Sequence, residues 1–482
     1  MARIQESLSY DDVLLVPNRS SVLPNQTDLK TDIGGKLVLN APIISAAMDR
    51  VTEIDMAVTL SRIGGIGIIH KNQSISNQAE MVRQVKRSES GIISDPFTLK
   101  PTDLIELARD LMAQHGVSGF PVVNRDSKLV GILTNRDLRA AREQGMLVKD
   151  VMTSKVVTAS ADVNPDQAMI IMHKNRVEKL PIVDGNRLVG LITLKDITNI
   201  KNYPNSSKDQ SGSLLCGAAV GVGEAGIERA RALVEAGVDM LVLDSAHGHS
   251  EGILESTYKL NQKYPNTVLV VGNVATQKGA EDCIKHGADV IKVGIGPGSI
   301  CTTRIVAGIG VPQFSAVMDC AKIAKKYDVP VIADGGIKSS GDIVKALAGG
   351  ANAVMLGNLL SGTDESPGES VLANGRRYKE YRGMGSREAM KQGSADRYFQ
   401  DKSSKLTPEG VSGLVPYKGS VTEILDQLIG GLRSGMGYCG AKNIRDLQKK
   451  ANFIRQTPSG FRESHVHDLE TIYESPNYQQ PD

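Results

Sequence analysis

The chain is poor in the features that usually place a protein outside the ordinary globular class. No apolar run is long enough to span a bilayer. The opening stretch MARIQESLSYDDVLLVPNRSS has neither a long apolar core nor a cleavage signature, which argues against secretion. Charge of one sign is also missing: 56 Lys and Arg stand against 54 Asp and Glu, a net of +2. That balance gives no bulk reason to expect nucleic acid or an anionic membrane as partner. The five cysteines (Cys216, Cys283, Cys301, Cys320, Cys439) are odd in number, scattered, and contain no CxxC pair. Zinc and disulfide frameworks are therefore not expected, and a cytoplasmic protein with free thiols is. Tryptophan is absent and aromatics make up only 4%, whereas glycine is abundant at 49 residues. Such a composition suits many tight strand-to-helix turns and backbone that approaches ligands closely.

The 482 residues are too many for one compact core, so two or three domains are expected. Short β-branched runs alternate with helical patterns over most of the length. They are PIISAAMD (42–49), GIGIIHK (65–71), LLCGAAVG (214–221), DMLVLDSAHG (239–248), TVLVVGNVA (267–275), ADVIKVGIG (288–296), PVIADGGI (330–337) and AVMLG (353–357). Near-continuous apolar strands bounded by glycine imply a parallel sheet covered by helices such as GIERARALVEAG. Eight units in steady alternation predict a (β/α)8 TIM barrel, with a doubly wound open sheet as the structural alternative. No GxGxxG lies between a strand and a helix, so a Rossmann cofactor site is not indicated.

Between the second and third runs lie roughly 140 residues, where a βα unit needs about 30. This insertion repeats itself. LMAQHGVSGFPVV (111–123) aligns with IMHKNRVEKLPIV (171–183), and KLVGILTNRDL (128–138) with RLVGLITLKDI (187–197). Each copy reads as helix, strand, turn, strand and helix start, and two such copies normally pack together because neither buries its apolar face alone. The copies resemble paired CBS motifs, which implies a module for adenine or guanine nucleotides. On that resemblance Thr134, Asp137, Thr193 and Asp196 match a T-x-x-D element that holds a ribose. The plainer reading of the same residues is that they cap helices.

The stretch KVGIGPGSICTTR (292–304) carries the most chemistry. It follows the sixth strand, on the face where barrel active sites lie. Gly294, Gly296, Pro297 and Gly298 force a loop whose exposed carbonyls suit a hard monovalent cation or a close ligand. Cys301 sits at its tip beside Ser299, Thr302, Thr303 and Arg304, surroundings that favour a partly exposed thiol of lowered pKa and hence a nucleophile. Cys216, inside a strand run, and Cys283, on a helical segment, read as structural. ADGGIKSSGD (333–342) and LGNLLSG (356–362) end the seventh and eighth strands, where barrels commonly bind phosphate. Asp334 cannot favour a phosphate and is expected to face ribose hydroxyls.

GIGPGSICTTR resembles the catalytic loop of inosine-5'-monophosphate dehydrogenases and the related GMP reductases, and the resemblance extends over almost the whole chain. It implies that Cys301 attacks C2 of the purine and that Gly296, Gly298 and Cys301 hold potassium through their carbonyls. It assigns the nucleotide to Ser299, Asp334, Gly335, Gly336, Gly357 and Asn358, the last where many members have Ser. YRGMGS (381–386) resembles a second nucleotide loop, which carries over Tyr381, Gly383, Met384, Gly385 and Ser386. PEGVSG (408–413) supplies Glu409 for the purine N1 edge. The polar stretch 391–410 reads as a mobile loop, and Arg397–Tyr398 matches a pair that activates water with Thr303 nearby. NAD is implied as cofactor, beside Asp244, Ser245, Asn273, Gly294, Ile295 and Gly296. RESHVHD (462–468) matches a segment completing the potassium site of a neighbouring subunit, through Glu463, Ser464 and His465.

The expectation is thus an IMP dehydrogenase: a barrel in two parts (1–91 and 204–482) with a flap at about 385–412, and a tandem CBS region at 92–203 with copies near 92–150 and 151–203. IMP and XMP are the expected ligands, and a homotetramer is implied by the resemblance alone. The rival enzyme is a GMP reductase, against which the insertion and the Arg397–Tyr398 pair speak. A nucleotide-sensing regulator on a dead barrel would need a broken site, and every catalytic position matches.

Overall fold

The computed structural model describes residues 4–35, 37–89, 93, 96–141, 145–400 and 405–469. Two compact units emerge: Met1–Lys86 with Asn205–Asp209 and Leu214–Asp482, and Arg87–Pro204 with Gln210–Ser213. The boundary expected at 91/92 lies outside the described residues.

The first unit is a closed barrel of eight strands, each pair of neighbours parallel. In chain order they are β1 (Ile43–Ser45), β2 (Ile66–Ile69), β3 (Cys216–Val220), β4 (Met240–Asp244), β5 (Val268–Val274), β6 (Val290–Val293), β7 (Val331–Asp334) and β8 (Ala353–Leu356). The alternation of strand side chains sorts residues into two apolar layers. Ile44, Met240, Val242, Val270, Val290 and Ile332 pack inside the barrel, with Ile33 and Leu39 from a short hairpin in the same cluster. Leu241, Leu243, Ile291 and Val293 face outward, against the helices. Each such side chain contributes about 1.5–3 kcal/mol on burial.

Helices follow every strand: α1 (Ile54–Ile63), α2 (Ile75–Ser88), α3 (Gly223–Glu235), α4 (Glu251–Lys263), α5 (Gln277–Lys285), α6 (Gln313–Ala324), α7 (Ser340–Ala348) and α8 (Val421–Tyr438). The pattern in α3 is representative: Ile227, Ala230 and Leu233 recur at helical spacing and, with Gly226, are the residues it buries. Between β8 and α8 a three-stranded antiparallel sheet is built from Ser370–Ala373, Arg376–Arg382 and Ser412–Pro416. The connection between its last two strands contains a short helix, Arg387–Gln392, and a 3-10 turn, Ser394–Tyr398. Residues 401–404 of that connection lie outside the described residues.

In the second unit the two copies repeat one pattern. Ile105–His115, Gly119–Val123, Leu129–Thr134 and Asn135–Ala140 are matched by Pro165–Asn175, Lys179–Asp184, Arg187–Thr193 and Leu194–Asn202. Each copy has its own apolar cluster, and the copies exchange backbone hydrogen bonds at Leu129–Asn186 and Leu188–Ser127. The threonine–aspartate pairs cap helices here. Asp137 accepts from the Thr134 backbone and hydroxyl at 2.8 and 2.7 Å, and Asp196 accepts from Thr193 in the same way.

Candidate active site

Strand alternation continues past the apolar layers to a charged one at the C-terminal end of the barrel. Two residues beyond Val242, Val290 and Ile332 come Asp244, Lys292 and Asp334, which therefore point to the interior. Lys292 is only 1% exposed. Its ammonium bonds Asp244 at 2.8 Å and Asp334 at 2.9 Å and also meets the Asn273 side chain. Asn273, at a register shift in β5, donates to Asp334 at 2.9 Å and to the Gly294 carbonyl at 2.7 Å. One buried cation thus fixes the carboxylates on either side of it.

Above this layer lies a cavity of about 380 Å3. Its lining includes Ser299, Asp334, Gly335, Gly336, Gly357, Asn358, Tyr381, Gly383, Met384, Gly385 and Glu409 from the expected nucleotide set. Asp244, Asn273, Gly294, Ile295 and Gly296 of the expected cofactor set line it too, as do Gly298, Cys301, Thr303, Arg397 and Tyr398. Five candidates do not. Ser245 is buried and its hydroxyl lies 3.5 Å from the Arg397 carbonyl. Ser386 is buried and caps the helix Arg387–Gln392 by accepting from Ala389 N. Glu463, Ser464 and His465 lie at the end of a helix, Pro458–Glu463, where Ser464 bonds Gln456 and His465 packs on Phe461.

The loop after β6 needs its glycines for room as well as for shape. Gly294 has φ +149, and a Cβ there would lie 2.1 Å from the Asp334 carbonyl. At the loop's tip Cys301 is half-buried, and its thiol donates to Thr303 Oγ1 at 3.3 Å. Thr303 in turn donates to Glu409 at 2.7 Å. A relay therefore runs from sulfur through a hydroxyl to a carboxylate. The other four cysteines are buried. Burial pushes the Cys283 and Cys320 thiols up to about 12 and raises those of Cys216 and Cys439 too, so none is a nucleophile at neutral pH.

Residues 394–398 and 409–410 of the 391–410 stretch pack over this loop. Gly410 pairs with Cys301 in an antiparallel bridge, Thr302 N donates to the Glu409 carbonyl at 2.9 Å, and Glu409 N to the Gly385 carbonyl at 3.0 Å. The Arg397 guanidinium pairs with Asp244 and lies 6.0 Å from the Tyr398 ring centre. Its Nε is buried without a partner. Tyr398 packs against Gly385, where a Cβ would lie 2.6 Å from its ring. Burial raises the Tyr398 hydroxyl above its ordinary range, opposed by the Arg397 charge. On the nucleotide side Tyr381 bonds Ser299, and burial pushes its hydroxyl up to about 12.

Two contributors escape sequence reasoning. Lys292 stands in the KVGIG run as one lysine among apolar residues, and only closure of the barrel reveals that its layer is the charged one. Gln313, at the start of α6, donates to the carbonyls of Val293 at 2.8 Å and Asp334 at 3.1 Å, tying β6 to β7 under the loop. The apolar period around it conceals that role.

A family model described as the IMP dehydrogenase / GMP reductase domain matches residues 7–467. Proteins named inosine-5'-monophosphate dehydrogenase from Halalkalibacterium halodurans and from Bacillus subtilis are each 55% identical, over 98% of this chain and 98% of their own length. One of that name from Aquifex aeolicus is 55% identical over 99% of this chain and 98% of its own length. A solved structure, a cysteine-to-alanine variant of GMP reductase from Trypanosoma brucei in complex with guanosine 5'-monophosphate, superposes with a TM-score of 0.89. It is 42% identical and covers 97% of this chain and 98% of its own. A match of that extent includes the insertion, so the insertion does not separate the two activities, contrary to the expectation from sequence.

Proposed function

The chain belongs to the IMP dehydrogenase / GMP reductase family, and on that premise we propose that it oxidises inosine 5'-monophosphate to xanthosine 5'-monophosphate with NAD+ and water. The observation that carries the reading is the relay Cys301–Thr303–Glu409 at the one half-buried thiol, inside the cavity at the barrel's C-terminal face. A thiol whose proton can pass to a hydroxyl and on to a carboxylate is poised to become a thiolate.

Gly335, Gly336, Gly357 and Asn358, with Tyr381, Gly383 and Gly385, would present backbone N–H groups and a hydroxyl to the phosphate. Asp334 would take the ribose hydroxyls, Ser299 and Met384 would border the base, and Glu409 would receive purine N1–H on the oxygen that Thr303 leaves free. Ser386 and Ser245 support these loops from behind. The thiolate adds to C2 and the hydrogen on C2 leaves with its electron pair, giving a covalent thioimidate on Cys301. NAD+ would supply the acceptor for that hydride, and Asp244, Asn273, Gly294, Ile295 and Gly296 would hold it. Water then adds to C2, losing a proton toward Arg397, Tyr398 and Thr303, and the C–S bond breaks to return the thiolate. An arginine is an unusual base, since its ordinary pKa lies far above neutrality. The buried, unpartnered Nε of Arg397 supports a place for water beside it.

The carbonyls of Gly296, Gly298 and Cys301 are neutral oxygen donors, a set suited to a large hard cation such as potassium. Glu463, Ser464 and His465 of a second copy would complete the ring, in keeping with a homotetramer. The inserted unit would take adenine or guanine nucleotides, and the cytoplasm is the compartment that fits free thiols. No described helix is long and apolar enough to cross a membrane. Because a GMP reductase superposes so fully, reductive deamination of GMP to IMP is the second reading. NADH formation from IMP, faster in K+ than in Li+, with no NADPH consumption by GMP, is the expected result. The opposite pattern would reverse the assignment.

A further inference from the structure

The proposed reaction needs water where the nicotinamide had been, so the flap at about 385–412 would take the dinucleotide's place before hydrolysis. Resting on that reading, we propose that Lys71, just beyond β2, is a positioning residue that holds the flap closed by pairing with Asp396. Asp396 and Arg397 are neighbours on the turn Ser394–Tyr398, and they grip two different barrel loops with charges of opposite sign. Arg397 meets Asp244 at the end of β4, and its carbonyl accepts from Ala246 N at 2.9 Å. Asp396 meets the Lys71 ammonium. The turn is thereby fixed at two points, and the Arg397 side chain is aimed by both.

The Lys71 side chain is only 6% exposed, against 43% for Asp396. Burial pushes the ammonium below the ordinary lysine range and the aspartate charge works against that. A buried ammonium is costly without a counter-charge, yet here the counter-charge comes from a segment that must leave in every turnover. Arg229 of α3, tied to Gln78 at 2.6 Å and the Gln73 carbonyl at 3.0 Å, adds a second attraction for Asp396. The space for the pair is provided by Gly221 at the end of β3. A Cβ there would lie 2.6 Å from the Asp396 carboxylate and 3.3 Å from Lys71 Nζ. Gly221 has no left-handed φ, so its backbone does not require glycine; the ion pair does.

A flap that is closed most of the time lowers the apparent affinity for dinucleotide by the fraction that remains open. Loosening the latch should therefore slow hydrolysis and strengthen NAD+ binding to the covalent adduct together. The test is rapid-mixing kinetics on the full chain with Lys71→Met, Asp396→Asn and the pair of both. Each single variant should keep a burst of one NADH per site at the wild-type rate. Steady turnover should fall on the order of tenfold, and inhibition by excess NAD+ should set in at a concentration lower by a similar factor. The double variant should be no worse than either single, and Lys71→Asp combined with Asp396→Lys should recover part of the loss. Asp396 is largely exposed, so Asp396→Asn keeps the test open if Lys71→Met does not fold. Unchanged turnover and NAD+ inhibition in Asp396→Asn would overturn the latch, as would loss of the burst itself. A wild-type enzyme that forms no adduct on Cys301 would overturn the underlying reading and the latch with it.

Discussion

At the scale of single residues the site is a contrast among like groups. Five thiols share one chain: Cys301 is half-buried, and the other four are buried, which pushes them up. Iodoacetamide at neutral pH should therefore modify Cys301 first, and bound IMP should protect it. Peptide mapping reads the outcome, and labelling of Cys283 or Cys320 ahead of it would contradict the burial argument. Cys301 was legible in the sequence because hydroxyls and glycines, not apolar period, surround it. Asp334 and Asp244 were legible because a carboxylate ending an apolar strand has few structural uses. Lys292 was not, since a lysine within VIKV gives no sign of its layer until Val242, Val290 and Ile332 are seen to share the barrel interior. Ser245 and Ser386 each stand in a nucleotide-like motif, and the hydroxyl of each lies behind the cavity wall, Ser245 beside the Arg397 carbonyl and Ser386 at a helix start.

Among elements, the strand Arg376–Arg382 joins the flap's base to the barrel. Its last residue, Arg382, pairs with Asp49 in the loop after β1 through bonds of 2.6 and 3.1 Å, and both side chains are buried. Burial alone would raise the Asp49 carboxyl, but Arg382 and Asn72 hold it below its ordinary value. Its contribution is thus complete above about pH 4 and is lost as pH falls through the lower folded value. Arg382→Met leaves a buried carboxylate unpaired and should cost about 3–5 kcal/mol at pH 7. Denaturant unfolding should show the gap from wild type narrowing as pH falls, beginning above about pH 4, because without the Arg382 charge burial raises the Asp49 carboxyl and it is protonated earlier in the variant. A gap that is constant with pH would rule out the ion pair as its cause. The eight barrel strands were readable because each is an unbroken apolar run. The three-stranded sheet was not, because Ser370–Ala373 and Ser412–Pro416 are mostly exposed and follow no apolar alternation.

At the scale of the molecule, two units share one chain, and the repeat within the insertion made the second legible before any fold was known. The chain leaves the first unit after Lys86, near the end of α2, and is back in it at Asn205, ahead of β3. Excising residues 92–203 should leave a folded, active barrel, because insertions at such sites tolerate removal. ATP or GTP should raise the melting temperature of the full chain but not of the deletant; an equal shift in both would put the nucleotide on the barrel. The central claim is that one cavity serves two steps in turn, hydride loss from C2 and then hydrolysis beneath the closed flap, with Arg397 needed only for the second. Stopped-flow and quenched-protein mass spectrometry of Arg397→Ala with IMP and NAD+ test it directly. The account predicts one rapid equivalent of NADH per site, very slow turnover thereafter, and a purine adduct on the peptide containing Cys301. Loss of the burst in a variant that still binds both ligands would contradict it.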